Sequence, residues 1–151
     1  MNKAHPYEEV AYDLYPLVNE GEAMGVGRVG TLSEATTLGE LCDVVKEQYD
    51  VPALRYVGDR DQTIQTVALL GGSGEKYIHD AKKKGADVYI TGDLSFHLAQ
   101  DAEQMGLAVI DPGHHVEKVI TPHLQKRLQE ECGPDVEFIV SNSKTEPFRF
   151  M

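Results

Sequence analysis

The sequence predicts an α/β fold with a mixed, mostly parallel sheet. From Val67 onward, a short apolar run, a glycine turn and a helical pattern follow one another three times, as parallel strands joined by helical crossovers require. The runs Val67-Ala68-Leu69-Leu70, Val88-Tyr89-Ile90-Thr91 and Leu107-Ala108-Val109-Ile110 are continuous rather than alternating, which suits strands covered by helices on both faces. A helix with its own start signal and a further strand precede them, so residues 37–130 read as helix, strand, then three strand–helix units.

Taken in order, Val10-Ala11-Tyr12-Asp13-Leu14-Tyr15 is β-prone and stops at Pro16, predicting a short strand that cannot be a domain alone. Gly21, Gly25, Gly27 and Gly30 punctuate the next stretch and set a boundary near residues 19–27, with residues 28–32 as a second short strand. Thr37 and Glu40 form a T-x-x-E capping box. Leu38, Leu41, Cys42, Val45 and Tyr49 then fall on one helical face, and Asp50 and Pro52 end that helix. Residues 54–57 read as a strand, 58–61 as a turn and 63–70 as a longer strand. Gly71, Gly72, Ser73 and Gly74 lead into a helix ending at Gly85, and Gly92-Asp93 into a helix over about residues 95–105, closed by Gly106. After Asp111-Pro112-Gly113 a helix extends through Glu130, with Pro122 predicting a kink or break and Thr121 available to cap a restart. Residues 136–140 read as a last strand, with the tail near Glu146-Pro147-Phe148 extended.

The 151 residues carry 14 Lys+Arg against 25 Asp+Glu, a formal net charge of −11. That length is about one domain, and the acidic balance disfavours nucleic acid or an anionic membrane surface as partner. No apolar run approaches the roughly 20 residues of a membrane span, and the start has no apolar signal region, so a cytoplasmic location is expected. Cys42 and Cys132 lie in helical patterns and read as buried thiols in a reducing compartment; two cysteines cannot build a Cys-rich zinc site.

Chemistry is expected on the rim beyond the carboxyl ends of the three parallel strands, where open α/β sheets bind ligands. Asp111-Pro112-Gly113-His114-His115-Val116-Glu117 is its strongest constellation. His114 and Glu117, three apart at a helix start, project from one face and are two of the ligand types that zinc, iron or manganese takes. A helix N-terminus favouring Glu for its dipole would show the same pattern. His115 points elsewhere. Asp93 and His97 form an i, i+4 pair in which Asp93 reads as an N-cap and His97 as a second ligand, a proton-transfer group or a hydrogen-bonded structural imidazole. Gly71, Gly72, Ser73 and Gly74 read either as an anion cradle for phosphate or as a tight turn bringing helix and sheet together. His5, His79 and His123 are expected to be solvated, and Lys82-Lys83-Lys84 to complement a helix C-terminus.

VALLGGSG (residues 67–74), GADVYITGDLSFH (85–97) and IDPGHHVE (110–117) resemble, in order and spacing, the C-terminal half of the NGG-interacting-factor-three-like family. These dinuclear-metal-centre proteins are also called GTP cyclohydrolase 1 type 2 homologs. The likeness covers about residues 25–151, and residues 5–13 resemble the end of the ferredoxin-like domain that some bacterial members carry inserted. It implies two units here: residues 1–22, the tail of that insert, and residues 23–151, a C-terminal α/β half-domain of αβ(βα)₃ order belonging to a two-repeat intertwined fold.

The resemblance further implies two divalent ions per complete site (zinc, iron or manganese), a small-molecule or nucleotide substrate, and a homo-oligomer, hexameric in the family. Carried over position by position, His114 and Glu117 match the C-terminal metal ligands and His97 the histidine beside the metals, a proton-transfer candidate. The implied reaction is metal-dependent hydrolysis of the GTP cyclohydrolase type: water attacks the guanine imidazole ring and formate leaves. The family's N-terminal half, with its His-His pair and bridging carboxylate, has no counterpart in these residues, so a complete site would need a partner. The alternative is a non-catalytic metal-binding regulatory or protein-interaction domain.

Overall fold

The computed structural model describes residues 5–6, 10–19, 21 and 24–151. Five strands, β1 (Arg28–Thr37), β2 (Arg55–Val57), β3 (Thr63–Ser73), β4 (Val88–Gly92) and β5 (Ala108–Asp111), form one sheet in the order β1-β3-β4-β5-β2. The central pairs β3–β4 and β4–β5 are parallel, and the edge strands β1 and β2 pair antiparallel to β3 and β5. Among the described residues four helices accompany it: α1 (Leu38–Tyr49), α2 (Ile78–Lys83), α3 (Phe96–Gln104) and α4 (Ile120–Cys132). Single 3₁₀ segments, Glu75–Tyr77 and His114–Val119, lead into α2 and α4.

β4 and β5 are buried on both faces, for the predicted reason, whereas the third apolar run, in β3, leaves Leu69 exposed. Val88, Ile90, Ala108 and Ile110 pack against Leu38, Leu41, Cys42 and Val45 of α1 on one side. Tyr89, Leu107 and Val109 pack against Ile78 and Ala81 of α2 and Ala102 of α3 on the other. The capping box forms in full: Thr37 Oγ1 accepts the Glu40 N–H at 3.2 Å, and Glu40 Oε2 accepts the Thr37 N–H at 3.1 Å. Asp50 closes α1 in the left-handed region at φ 50°.

Several sequence-based expectations are corrected. Residues 10–15 form no strand, and Leu14, Tyr15, Leu17 and Val18 stand exposed; a lone extended segment without a ladder partner gains nothing from β-propensity. Tyr7, Glu8 and Glu9 of the insert-like motif lie outside the described residues. The strand over residues 28–32 extends to ten residues, through Thr37. Residues 136–140 form no strand, because glutamines of α4 take their backbone: Gln129 Nε2 donates to Val136 O at 2.9 Å and Gln125 Nε2 to Phe138 O at 2.8 Å. The helix break falls at the 3₁₀-to-α change before Ile120, leaving Pro122 in the first turn of α4, where its missing N–H costs nothing. Thr121 Oγ1 donates back to Lys118 O instead of capping a restart. Cys42 is buried as expected, whereas Cys132, the last residue of α4, is exposed; both are free thiols. Among the described residues no helix is long and apolar enough to cross a membrane.

Candidate metal site and its rim

β3, β4 and β5 end together at one rim, and the turns that follow them carry the site. Pro112 and Gly113 (φ 85°) turn the chain out of β5, so His114 and Glu117 start the 3₁₀ segment three residues apart. Their side chains meet, His114 Nε2 lying 3.1 Å from Glu117 Oε2. The other ring nitrogen, Nδ1, lies 2.7 Å from Asp93 Oδ2, delivered by the turn after β4. An ionised carboxylate only accepts hydrogen bonds, so each ring nitrogen can donate to the carboxylate beside it; in a ring with a single proton, the shorter contact with Asp93 favours Nδ1 as its place. Nε2 and Oε2 are then two electron-rich atoms that require a cation between or upon them, either a second ring proton or a metal ion. The His114 pKa is accordingly raised above its ordinary value, chiefly by the Asp93 hydrogen bond, then by the charges of Glu117 and Asp93.

The backbone keeps room for this arrangement at two glycines. A Cβ on Gly72, which sits at φ +68°, would fall 2.4 Å from Glu117 Oε1; a Cβ on Gly92 would fall 2.8 Å from the carbonyl oxygen of Gly113. The fit of residues to a cation is therefore partial but specific: an imidazole with its far nitrogen anchored, one carboxylate, and cleared space beside them. Among the described residues no group of three or more His, Cys, Asp or Glu is gathered so as to hold a metal ion. His114 and Glu117 open onto a cavity of about 840 Å³ between the end of α1, the 3₁₀ segment, α4 and residues 138–145, with Tyr49, Leu124 and Phe138 among its walls.

The other expected site residues fall differently. Asp93 is not the N-cap of α3. That position belongs to Ser95, whose N–H is accepted by Glu75 Oε2 at 2.8 Å, and hydrogen bonds from Ser95 hold the Glu75 carboxyl below its ordinary pKa. His97 is exposed on the first turn of α3, its ring edge-on to Phe96, and hydrogen-bonds to none of Asp93, His114 or Glu117. Gly71, Gly72 and Ser73 belong to the end of β3 rather than to a strand-to-helix turn. Gly74 follows, its N–H bonded to Thr91 Oγ1 at 2.9 Å and its carbonyl to the Tyr89 hydroxyl at 2.9 Å. His115 is half-buried, and His5, His79 and His123 are exposed. Sequence reasoning missed the Asp93–His114 bond and the roles of Asp111 and Arg55. Asp-Pro-Gly is itself a local signal for Asp111, whose Oδ1 accepts the N–H two residues on at 2.9 Å; Arg55 has none.

The family pattern described as Duf34/NIF3 (NGG1p interacting factor 3) matches residues 3–147. The chain belongs to the Duf34/NIF3 family. This is the family that its three rim motifs resemble. Among curated Duf34/NIF3 relatives, the GTP cyclohydrolase 1 type 2 homolog of Bacillus subtilis is 50% identical over 100% of this chain and 41% of its own length. The homolog of Halalkalibacterium halodurans is 47% identical over the same shares. A solved Bacillus cereus protein related to NIF3 superposes with a TM-score of 0.84 at 50% identity, covering 99% of this chain and 42% of that one. The chain thus spans about two fifths of the length of these relatives.

Proposed function

We propose that this chain carries one side of the metal centre of a metal-dependent hydrolase, of the kind its GTP cyclohydrolase 1 type 2 homolog relatives are named for, acting on a nucleotide or comparable small molecule. The observation that carries the reading is the His114–Glu117 pair, with Nε2 and Oε2 facing each other at 3.1 Å on the edge of the 840 Å³ cavity. Two such donors take a cation, and the cavity lies within the usual range for small-molecule sites. His114, through Nε2, and Glu117 would hold divalent ions, two per complete site, of zinc, iron or manganese. The remaining ligands come from a second copy in a homo-oligomer, hexameric by family resemblance, or from the rest of a longer chain. When bound, such ions supply Lewis acidity and bring the pKa of water toward neutrality.

The chain's own residues do the rest. Asp93 fixes the orientation and tautomer of His114 through Nδ1. Tyr49, Leu124 and Phe138 give the cavity an apolar wall against which a base excludes water. His97, which stands outside the cavity lining, would move a proton in water attack on the guanine ring with loss of formate, the role the family resemblance gives it. A cytoplasmic setting fits two free thiols.

Metal content, measured by mass spectrometry on untagged protein, tests the reading. His114→Ala and Glu117→Ala are each expected to lose bound metal, and unchanged content in both would overturn it. His97→Ala is expected to keep its metal while formate release from GTP falls by roughly 10²–10⁴-fold. Metal bound by the wild type without any formate release would move the function to a non-catalytic metal-binding domain.

A further inference from the structure

We infer that Asp111 is a positioning residue whose buried carboxylate, clamped by Arg55, locks together the two turns that carry Asp93 and His114. Asp111 is the last residue of β5, and only 1% of its side chain is exposed. Oδ1 accepts the N–H of Gly113 at 2.9 Å, the residue just before His114. Oδ2 accepts the N–H of Leu94 at 3.0 Å, the residue just after Asp93. Oδ2 also receives Arg55 Nη2, and the same nitrogen donates to Leu94 O at 3.0 Å. Both polar backbone atoms of Leu94 are therefore held, and Arg55 is placed for this by its ladder pairing with Asp111 between β2 and β5.

One carboxylate thus sets the distance between the turn after β4 and the turn after β5, over which the 2.7 Å Asp93–His114 bond must form. Asp93 itself needs holding. It is a non-glycine residue at φ 58°, a strained conformation that persists only where its surroundings over-determine it. A carboxylate suits the post because all its partners are donors; an amide in its place would set its own N–H against one of them.

The metal readout of the test rests on reading His114 and Glu117 as cation ligands, but the positioning role does not. The first readout is the tautomer of His114 in the metal-free chain, from long-range proton–nitrogen correlations at a pH where the ring is neutral. The wild type is expected to hold the proton on Nδ1, facing the nearer carboxylate of Asp93. In Asp111→Asn and Arg55→Ala it is expected to shift to Nε2, the form free imidazole favours. Zn²⁺ affinity, measured with the metal alone, is expected to fall about 10–100-fold, as for other residues that orient a metal ligand.

Asp87→Asn is the structural control. Asp87 Oδ2 accepts the Gln65 and Thr66 N–H groups at 2.9 and 2.7 Å, just before the start of β4, so its loss should lower the melting temperature without moving the His114 tautomer. An unchanged tautomer in the folded variants, or an equal change in Asp87→Asn, overturns the inference. Should Asp111→Asn fail to fold, Arg55→Ala decides, since 70% of the Arg55 side chain is exposed. Zn²⁺ binding that ignores His114→Ala would sink the metal reading while leaving the tautomer result to judge Asp111.

Discussion

Gly72 shows how finely the rim is cut at the scale of one residue. Alanine there would set a methyl group 2.4 Å from Glu117 Oε1 and 3.9 Å from His114 Cε1, on backbone at φ +68°. Contact that close forces the carboxylate aside, and left-handed backbone costs a non-glycine residue roughly 1–2 kcal/mol. Gly72→Ala is therefore expected to lower the unfolding free energy by about that amount and to weaken Zn²⁺ binding about tenfold through the displaced Glu117, read by denaturant melts and metal titration. Wild-type affinity in this variant would mean that Glu117 has room to spare. At this scale the spacing of His114 and Glu117 was legible, because i, i+3 neighbours share a face in a 3₁₀ turn as in a helix. Asp93 was not. Read locally, an Asp after a strand is an N-cap, but its backbone conformation and the approach of Gly92 to Gly113 are tertiary facts that turn it toward His114 instead.

The first helix is secured at its start by the box of Thr37 and Glu40, to which Thr36 Oγ1 adds a hydrogen bond to Glu40 Oε2 at 2.7 Å. Thr37→Ala is expected to lose about 1 kcal/mol of stability. These bonds, from Thr36 first, hold the Glu40 carboxyl below its ordinary value of 4.5. A lowered folded pKa gives stability that is present above 4.5 and lost as pH falls through the folded value. Thermal melts should thus show the wild type losing more stability than Glu40→Gln on acidification below pH 4.5, and equal slopes would remove the box from the acid response. Such elements were legible wherever their signals are local, as in α1 with its box, its apolar face and its stop. Residues 136–140 have equally strand-like side chains, yet a strand exists only against an edge, and here Gln125 and Gln129 of α4 satisfy the backbone first. Sequence periodicity carries no account of which partner reaches a segment.

At the scale of the molecule, the two donors His114 and Glu117 must be reconciled with the four or more ligands that a firmly held divalent ion takes. One imidazole and one carboxylate alone bind such an ion loosely, so tight binding calls for further donors, from a second copy or from the rest of a longer chain. Ile139, 80% exposed, lies at the mouth of the cavity beside the pair, and exposed apolar surface next to an incomplete ligand set suits a protein contact better than open water. Where a second copy supplies those donors, binding and assembly are linked: each copy that associates would add ligands, and each ion bound would stabilise the assembly by mass action. The Zn²⁺ affinity per chain should therefore rise with protein concentration, in step with a rise in mass above the 16.7 kDa of one chain, followed by light scattering during a metal titration. His114→Ala should uncouple the two, so that added Zn²⁺ no longer shifts the mass. Tight, concentration-independent binding by a species of 16.7 kDa would mean that one chain supplies the whole ligand set, and the shared-site reading would fall.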